Sequence, residues 1–512
     1  MPEKAFEKLN KRIRPEWKIC FFATLTVGLL AHIYKLTNWL PNWDGLVFRY
    51  DAQNMIRLGR WFLPVVCAFG SFYDLPFLSG IAAVLFHALG AVCICSILNV
   101  KKGVTAGLIG AVTVSFPAVV SVMMYSYVAD GYAIAFFMAC LAAYFMTANK
   151  PRYIAATCLI MLSVGVYQAY VTVTVMLVLL KLADELVFGK KEAGFVLKRA
   201  LICLAVGIAG MVLYYAVLTL ILKLTGTELL DYQGMNSAAS GLCLNLPGSF
   251  YVIKETLLNF FFNFSSGVSA WAVINVCLFA FAGVMYVRYA AKAGIFTSPF
   301  KLLMLFAIGV FLLMGSTALA FINSAVDYHN LMLVGYCVFY IFFIILYERG
   351  REKSKKAEAV RSWGVLGLTL VLIFNQVVTA NVSWHKAQLA YEKSYGVLVR
   401  IADRIEQTEG AQECNEILVV GALKGSEAYS ALLPPDITGI TDGYIIRADD
   451  ETVGQSVLCA ALNDYCHKDY SFVSGKRKQK LLKTEKAKSM SSWPYEGCVD
   501  VIDGVVVIRL GD

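Results

Sequence analysis

The sequence predicts a multi-pass α-helical membrane protein of about eleven spans, with a small extracytoplasmic α/β domain at its C-terminus. Three observations carry this reading. Of 512 residues, 58% are hydrophobic and only 16% charged, against the ~25% charge of soluble domains. The apolar residues fall in recurrent blocks of about 20, the length that crosses a bilayer core. Lysine and arginine mark alternate loops between those blocks, as the positive-inside rule requires.

The elements follow in order. Lys4, Lys8, Lys11, Arg12, Arg14 and Lys18 precede or enter the first apolar block, which keeps that end in the cytoplasm. The block 17–36 has no small-residue cleavage site after it, so it is a retained span and not a removed signal peptide. Further spans are expected near 76–98, 103–121, 129–148, 153–167, 169–187, 200–222, 267–287, 301–322, 330–347 and 362–380, with the pair 153–187 alternatively one tilted element with a re-entrant tip. The inner loops of this scheme hold 24 basic residues and the outer loops before residue 381 hold six. An odd number of spans then puts the C-terminus outside.

Residues 1–380 form the transmembrane domain and 381–512 the extracytoplasmic one. The latter holds 15 basic and 19 acidic residues, a net of −4, against +13 for the membrane part. Ala390–Gln407 has helical periodicity, Glu416–Leu423 reads as a buried strand ending at Gly425, and Val499–Ile508 as two strand pieces around Asp503-Gly504. Cys414, Cys459, Cys466 and Cys498 lie here, open to one or two disulfides or to buried thiols. Lys476, Arg477, Lys478, Lys480, Lys483, Lys486 and Lys488 make a basic run, either a solvated loop or a surface that attracts anionic glycan or lipid. No zinc spacing, phosphate-binding glycine loop, GxSxG elbow or HExxH helix occurs, so no metal, cofactor or nucleic-acid partner is expected.

Chemistry concentrates in the first outer loop. As a helix over about 45–62, it would put Phe48, Ala52, Met55, Leu58 and Phe62 on one side and Arg49, Gln53, Arg57 and Arg60 on the other, along the membrane surface. Three arginines at headgroup depth suit a lipid phosphate, and equally ordinary interfacial anchoring. Asp44 precedes this helix beside Trp43, a carboxylate with no solubility role in so apolar a chain. Asp51 falls on the apolar side, costly unless it points into a cavity. Asp74, Asp130, Tyr125 to Tyr127, Tyr167, Gln168, Asp327 and His329 end other spans in the same layer. Each alone could be a loop-end residue or helix cap. Together they describe one polar, aromatic cavity in which rings cover a sugar face, arginines hold a phosphate and a carboxylate takes a hydroxyl proton. A flippase for lipid-linked glycans would need a similar cavity, though no inverted repeat is visible.

Asn42-Trp43-Asp44-Gly45 with Arg60-Trp61, Ser115-Phe116-Pro117 leading to Tyr125-Ser126-Tyr127-Val128-Ala129-Asp130, the turn Gly165-Val166-Tyr167-Gln168-Ala169-Tyr170, and the ending Trp493-Pro494-Tyr495-Glu496-Gly497 with Val501-Ile502-Asp503-Gly504 resemble the type-II Gtr glucosyltransferases. These are bacterial serotype-modifying enzymes of the C-type glycosyltransferase superfamily. The resemblance implies a bacterial plasma-membrane location and inverting transfer of glucose, or another hexose, from a polyprenyl-phosphate-linked donor to a cell-envelope glycan on the outer face. It implies an acidic base in the first outer loop, matched by Asp44; from the residues themselves, Asp51 and Asp130 are the other outer-face carboxylates in reach of the same cavity. Arg49, Arg57 or Arg60 would serve the phosphate, and the neighbouring Trp61 favours Arg60.

Overall fold

The computed structural model describes residues 2–47, 55–70, 72–230, 245–263, 269–324, 326–423 and 454–511. Its helices are α1 (Pro2–Arg12), α2 (Pro15–Thr37), α3 (Trp43–Val47), α4 (Leu63–Cys67), α5 (Pro76–Ile97), α6 (Gly103–Ser115), α7 (Pro117–Met124), α8 (Ala129–Thr147), α9 (Tyr153–Val166), α10 (Val171–Val187), α11 (Ala193–Thr225), α12 (Leu246–Phe262), α13 (Ala270–Lys292), α14 (Pro299–Gly315), α15 (Cys337–Arg349) and α16 (Lys355–Gln407). Each of the eleven apolar blocks contains a helix. Among the described residues, six helices are long and apolar enough to cross a membrane, or seven if the bent pair α6–α7 is one span. Several others are shorter than the ~20 residues a span needs, among them α9, α14 and α15.

Proline sets many of these boundaries. Pro15, Pro76, Pro117 and Pro299 occupy the first turns of their helices, where the missing N–H costs nothing. Pro117 also holds Phe116 in an extended conformation (φ −58°, ψ 136°), the usual effect on a residue before proline. The result is the 43° bend between α6 and α7. The 153–187 pair is two helices, α9 and α10, with a 3₁₀ turn at Gln168–Tyr170 between them.

The basic loops meet at one end of the bundle. Arg14 donates to the Val100 carbonyl (3.0 Å), Glu348 accepts from the Lys101 and Lys102 backbone (3.0 and 3.2 Å), and Arg349 pairs with Asp184 (2.9 Å). Glu352 takes Arg288 and Lys292 (3.0 and 2.9 Å), and Glu192 takes Lys301 (3.2 Å). Five sequence-distant basic clusters thus share one face of the molecule, as an alternating path of spans demands. The loops carrying Asp44, Arg60, Tyr127 and Tyr167 collect at the other.

The chain changes construction after α16. β1 (Glu416–Val420), α17 (Gly454–Cys466), β2 (Ser471–Phe472), α18 (Gly475–Leu482), α19 (Glu485–Ser489), β3 (Val499–Ile502) and β4 (Val505–Arg509) build a sheet of order β2-β1-β4-β3. β1 is parallel to β2 and β4, and β3 and β4 form a hairpin, Val499 opposite Ile508. Asp503 and Gly504 turn it at φ 50° and 73°, the left-handed pair that two-residue hairpins favour. β1 stops at Val420, before the position read from sequence: Gly421 lies at φ 71°, and its backbone is so close to Gly511 that a Cβ would sit 2.4 Å from that carbonyl oxygen.

Strand alternation gives the sheet two cores. Ile417, Val419, Val506 and Ile508 pack with Leu398, Ile401 and Ile405 of α16 and Val457, Leu458 and Leu462 of α17. Leu418, Ile502, Val505 and Val507 face away, onto Leu481 of α18 and Ala487 of α19. Cys414, Cys459, Cys466 and Cys498 are free thiols. Cys498 sulfur accepts from Arg404 (2.9 Å), and Cys459 donates to the Tyr470 carbonyl (2.7 Å). α16 runs unbroken from bundle to sheet: Trp384 donates to the Ala31 carbonyl of α2 (2.7 Å), while Leu398 is inside the sheet core.

Candidate functional site

The first loop is not the single helix expected over 45–62. α3 is described over Trp43–Val47, Met55 lies in no helix, and Ile56–Leu58 is one 3₁₀ turn closed by Gly59 at φ 77°, whose N–H returns to the Ile56 carbonyl. A left-handed residue stops a helix, and this one is held in place from outside. Tyr214 of α11 donates to the Gly59 carbonyl (3.0 Å), and Gln168 donates to the Leu58 carbonyl (2.8 Å) and to the Tyr214 oxygen (3.2 Å). A Cβ on Gly59 would lie 2.7 Å from both of those side-chain atoms. Arg49, Asp51 and the side chain of Trp43 lie outside the described residues.

The pinned loop delivers Arg60. Its Nη1 donates to the Tyr132 hydroxyl (3.0 Å), and its Cζ sits 4.6 Å over the Tyr167 ring. Tyr132 and Tyr167 stack at 4.7 Å with planes 9° apart, so the guanidinium rests on an aromatic platform that fixes its plane. Trp61 packs on Gly165, where a Cβ would approach the indole to 2.8 Å, and the Phe62 N–H donates to the Gly165 carbonyl (2.8 Å). A side chain at 165 would therefore have to displace the indole beside Arg60. Gly165→Ala should cost about 1–3 kcal/mol, the usual penalty for overpacking, and should lower activity by displacing the loop that carries Arg60. Thermal unfolding together with initial rates would check it; a variant unchanged in both would mean the loop has room that these distances deny.

Asp44 lies half-buried on α3, with Arg60 and His329 in electrostatic reach. Burial pushes its carboxyl above the usual carboxylate range, and Arg60 and His329 oppose the shift. Tyr127, beside Tyr125 (6.3 Å between ring centres), is buried close enough to Asp44 that burial and the carboxylate both drive its phenol well above its ordinary value. Tyr127 thus remains a neutral hydrogen-bonding group throughout the physiological range.

Two neighbouring carboxylates, Asp74 and Asp130, have hydrogen-bond partners of their own. Asp74 is buried and accepts from the Trp39 indole (2.9 Å) and Ser126 (3.1 Å). Asp130, buried in the first turn of α8, accepts its neighbour Gly131's N–H (2.8 Å). Arg57 points away and donates to the Glu228 carbonyl (3.3 Å). Asp327 is exposed, while Tyr328 between it and His329 is anchored, donating to the Thr317 carbonyl (2.7 Å). Among the described residues, no group of three or more His, Cys, Asp or Glu is arranged to hold a metal. In the basic run, Arg477, Lys486 and Lys488 pair with Glu416, Asp500 and Glu485.

The structure therefore joins Asp44, Arg60, Tyr127, Tyr167 and His329, with Gln168 and Trp61 shaping their loop. Sequence reasoning missed Tyr132 and Tyr214. Both sit inside apolar helical blocks, where a tyrosine looks like packing; the available sign was a hydroxyl that such a block has to satisfy.

The family model described as glucosyl transferase GtrII matches residues 33–346. The matched stretch holds every residue just joined. Neither a curated protein nor a solved structure matches the chain.

Proposed function

The chain belongs to the GtrII glucosyl transferase family, and from that membership we propose that it moves glucose from a polyprenyl-phosphate donor to an envelope glycan at the outer membrane face, with inversion. Glucosyl transfer is the family's activity. The observation that supports the donor class is Arg60, a planar, pre-stacked guanidinium beside a carboxylate in a loop between membrane helices. An arginine suits a phosphate bidentately, and a lipid phosphate reaches the loops at the end of a helix bundle from the bilayer itself.

In the proposed reaction, Asp44 accepts the proton of the acceptor hydroxyl. The acceptor oxygen forms its bond to the anomeric carbon on one face of the sugar. On the opposite face the bond from that carbon to the phosphate oxygen breaks, and its electron pair leaves on polyprenyl phosphate, countered by Arg60. Phosphate leaves without a protonating acid, so one carboxylate suffices where ordinary glycoside hydrolysis uses two. Tyr167 holds Arg60 through its ring, Tyr127 adds a hydroxyl beside Asp44, and His329 a further hydrogen-bonding group. The basic end of the bundle is cytoplasmic in this proposal, by the 24-to-six bias of its loops, which puts the sheet domain outside. A flippase is not favoured, since the matched family transfers glucosyl groups.

Membranes containing the protein should move label from polyprenyl-phosphate glucose into acceptor glycan, and more slowly or not at all from the mannose and galactose analogues. Label that moves from a nucleotide sugar and not from the lipid donor would overturn the donor class.

A further inference from the structure

We infer that the C-terminal sheet domain is a positioning element for the transferase centre, acting through Leu46 on the helix that carries Asp44 and through Trp39. This rests on Asp44 being the base. The described part of α3, Trp43–Val47, takes its position from what it packs on. That support is the sheet domain: α3 packs against α17, and Leu46, 2% exposed, lies in the core formed by Leu398 and Ile401 of α16, Leu458 and Leu462 of α17 and Ile508 of β4. Leu46 is two residues from Asp44, and among the described residues the other buried members of its core all lie from Leu398 onward.

A second contact runs beside the first. The Trp39 ring is 6.1 Å from that of Tyr465 on α17, and Tyr465 is wedged against Tyr391 and Tyr395 of α16 (6.2 and 5.6 Å). On its other edge the Trp39 indole donates to Asp74, which also accepts from Ser126, one residue from Tyr127. The loop bearing the base is thus held between the sheet domain and the bundle, while Tyr132 holds the Arg60 guanidinium and Gln168 and Tyr214 hold the turn before it. The distance between base and phosphate partner is set by how the two parts of the protein dock. Rate is steep in such a distance: a misplacement of about 1 Å can cost ~10²-fold, while the Arg60 guanidinium, which would bind the donor phosphate, is oriented by Tyr132 and Tyr167 of the bundle.

The two cores of the sheet supply the control. Leu46→Ala removes a side chain from the core that holds α3; Leu481→Ala removes an equivalent side chain from the opposite core, remote from α3. Both open a cavity in the same domain. With the full-length protein in membranes, Leu46→Ala should lower kcat about 10-fold or more with donor KM within about twofold of the parent, and Leu46→Met should restore most of kcat. Leu481→Ala, at an equal loss of thermal stability, should retain kcat. Equal kcat loss in the two alanine variants, or parental kcat in Leu46→Ala, would overturn the positioning role. Asp44→Asn, run alongside, separates the two levels: if it transfers at the parental rate the base assignment falls and this inference with it, whereas an inactive Asp44→Asn beside a fully active Leu46→Ala removes the positioning role alone.

Discussion

Asp44→Asn should reduce sugar transfer by ~10²–10⁴-fold, the range expected when a positioned base is lost, while the protein still inserts and still binds the proposed lipid donor. Asn keeps the size and much of the hydrogen bonding but cannot take a proton. If Asp44 merely capped α3, Asn would serve almost as well and transfer would continue. The pH profile gives a second check. The carboxyl must be ionised to act, and burial raises its pKa, so activity should fail on the acid side at a pH above the ordinary carboxylate range. The same shift fixes the sign for stability. A carboxyl with a raised pKa in the folded state favours the fold when protonated, and that contribution is lost as pH rises through the folded value. The neutral Asn escapes this loss, so the variant should melt no earlier than the parent near neutral pH. A variant that is inactive and also markedly less stable would point to a structural part for Asp44 instead.

Arg60→Ala is the second large effect, and it should differ in kind. A phosphate partner acts on the bound donor and on the leaving group alike, so donor KM should rise and kcat should fall, the latter by ~10²–10³-fold as for loss of one donor to a developing anion. The residual activity should also show its acid limb at higher pH, because the guanidinium that opposes the shift at Asp44 is gone. Arg60→Lys keeps the charge but not the plane that stacks on Tyr167, and should recover the pH limb better than the rate. A limb that stays in place in Arg60→Ala would separate Arg60 from Asp44, and unchanged KM and kcat would end its assignment to the phosphate.

The sequence made the bundle legible because bilayer thickness imposes a length and topology imposes a charge alternation; both can be counted without knowing any contact. It was less informative about how many blocks are long helices, since half-length pieces such as α9 and α15 continue into 3₁₀ turns that hydropathy does not distinguish from helix. The amphipathic pattern over 45–62 is real, yet Gly59 ends it, and a glycine in that pattern was the only local sign. Asp44 and Arg60 could be paired on paper because they share one loop. Tyr132 and Tyr214 could not, because their place beside Arg60 and Gly59 is set by how α8 and α11 pack. Gln168 was visible as a polar residue at a tip, but only the fold reveals that its amide is spent on the Leu58 carbonyl. The sheet's strands were readable in kind, while the end of β1 depended on a close approach by Gly511, a residue far along the chain.

The helix α16 has 53 residues, about 80 Å at ~1.5 Å per residue, and it is clamped twice: at Trp384 against α2 and at Leu398 inside the sheet core. Between these clamps lie about four turns whose length is a ruler. One residue inserted there would rotate everything beyond it by ~100° and advance it by ~1.5 Å, turning the socket for Leu46 away from α3. An insertion of about seven residues nearly restores the angle but lifts the socket by ~10 Å. Substitution along this stretch is cheap wherever the side chain is exposed, whereas insertion and deletion are not. A chain evolving or engineered on this plan can rewrite the letters between Trp384 and Leu398 but must keep their number.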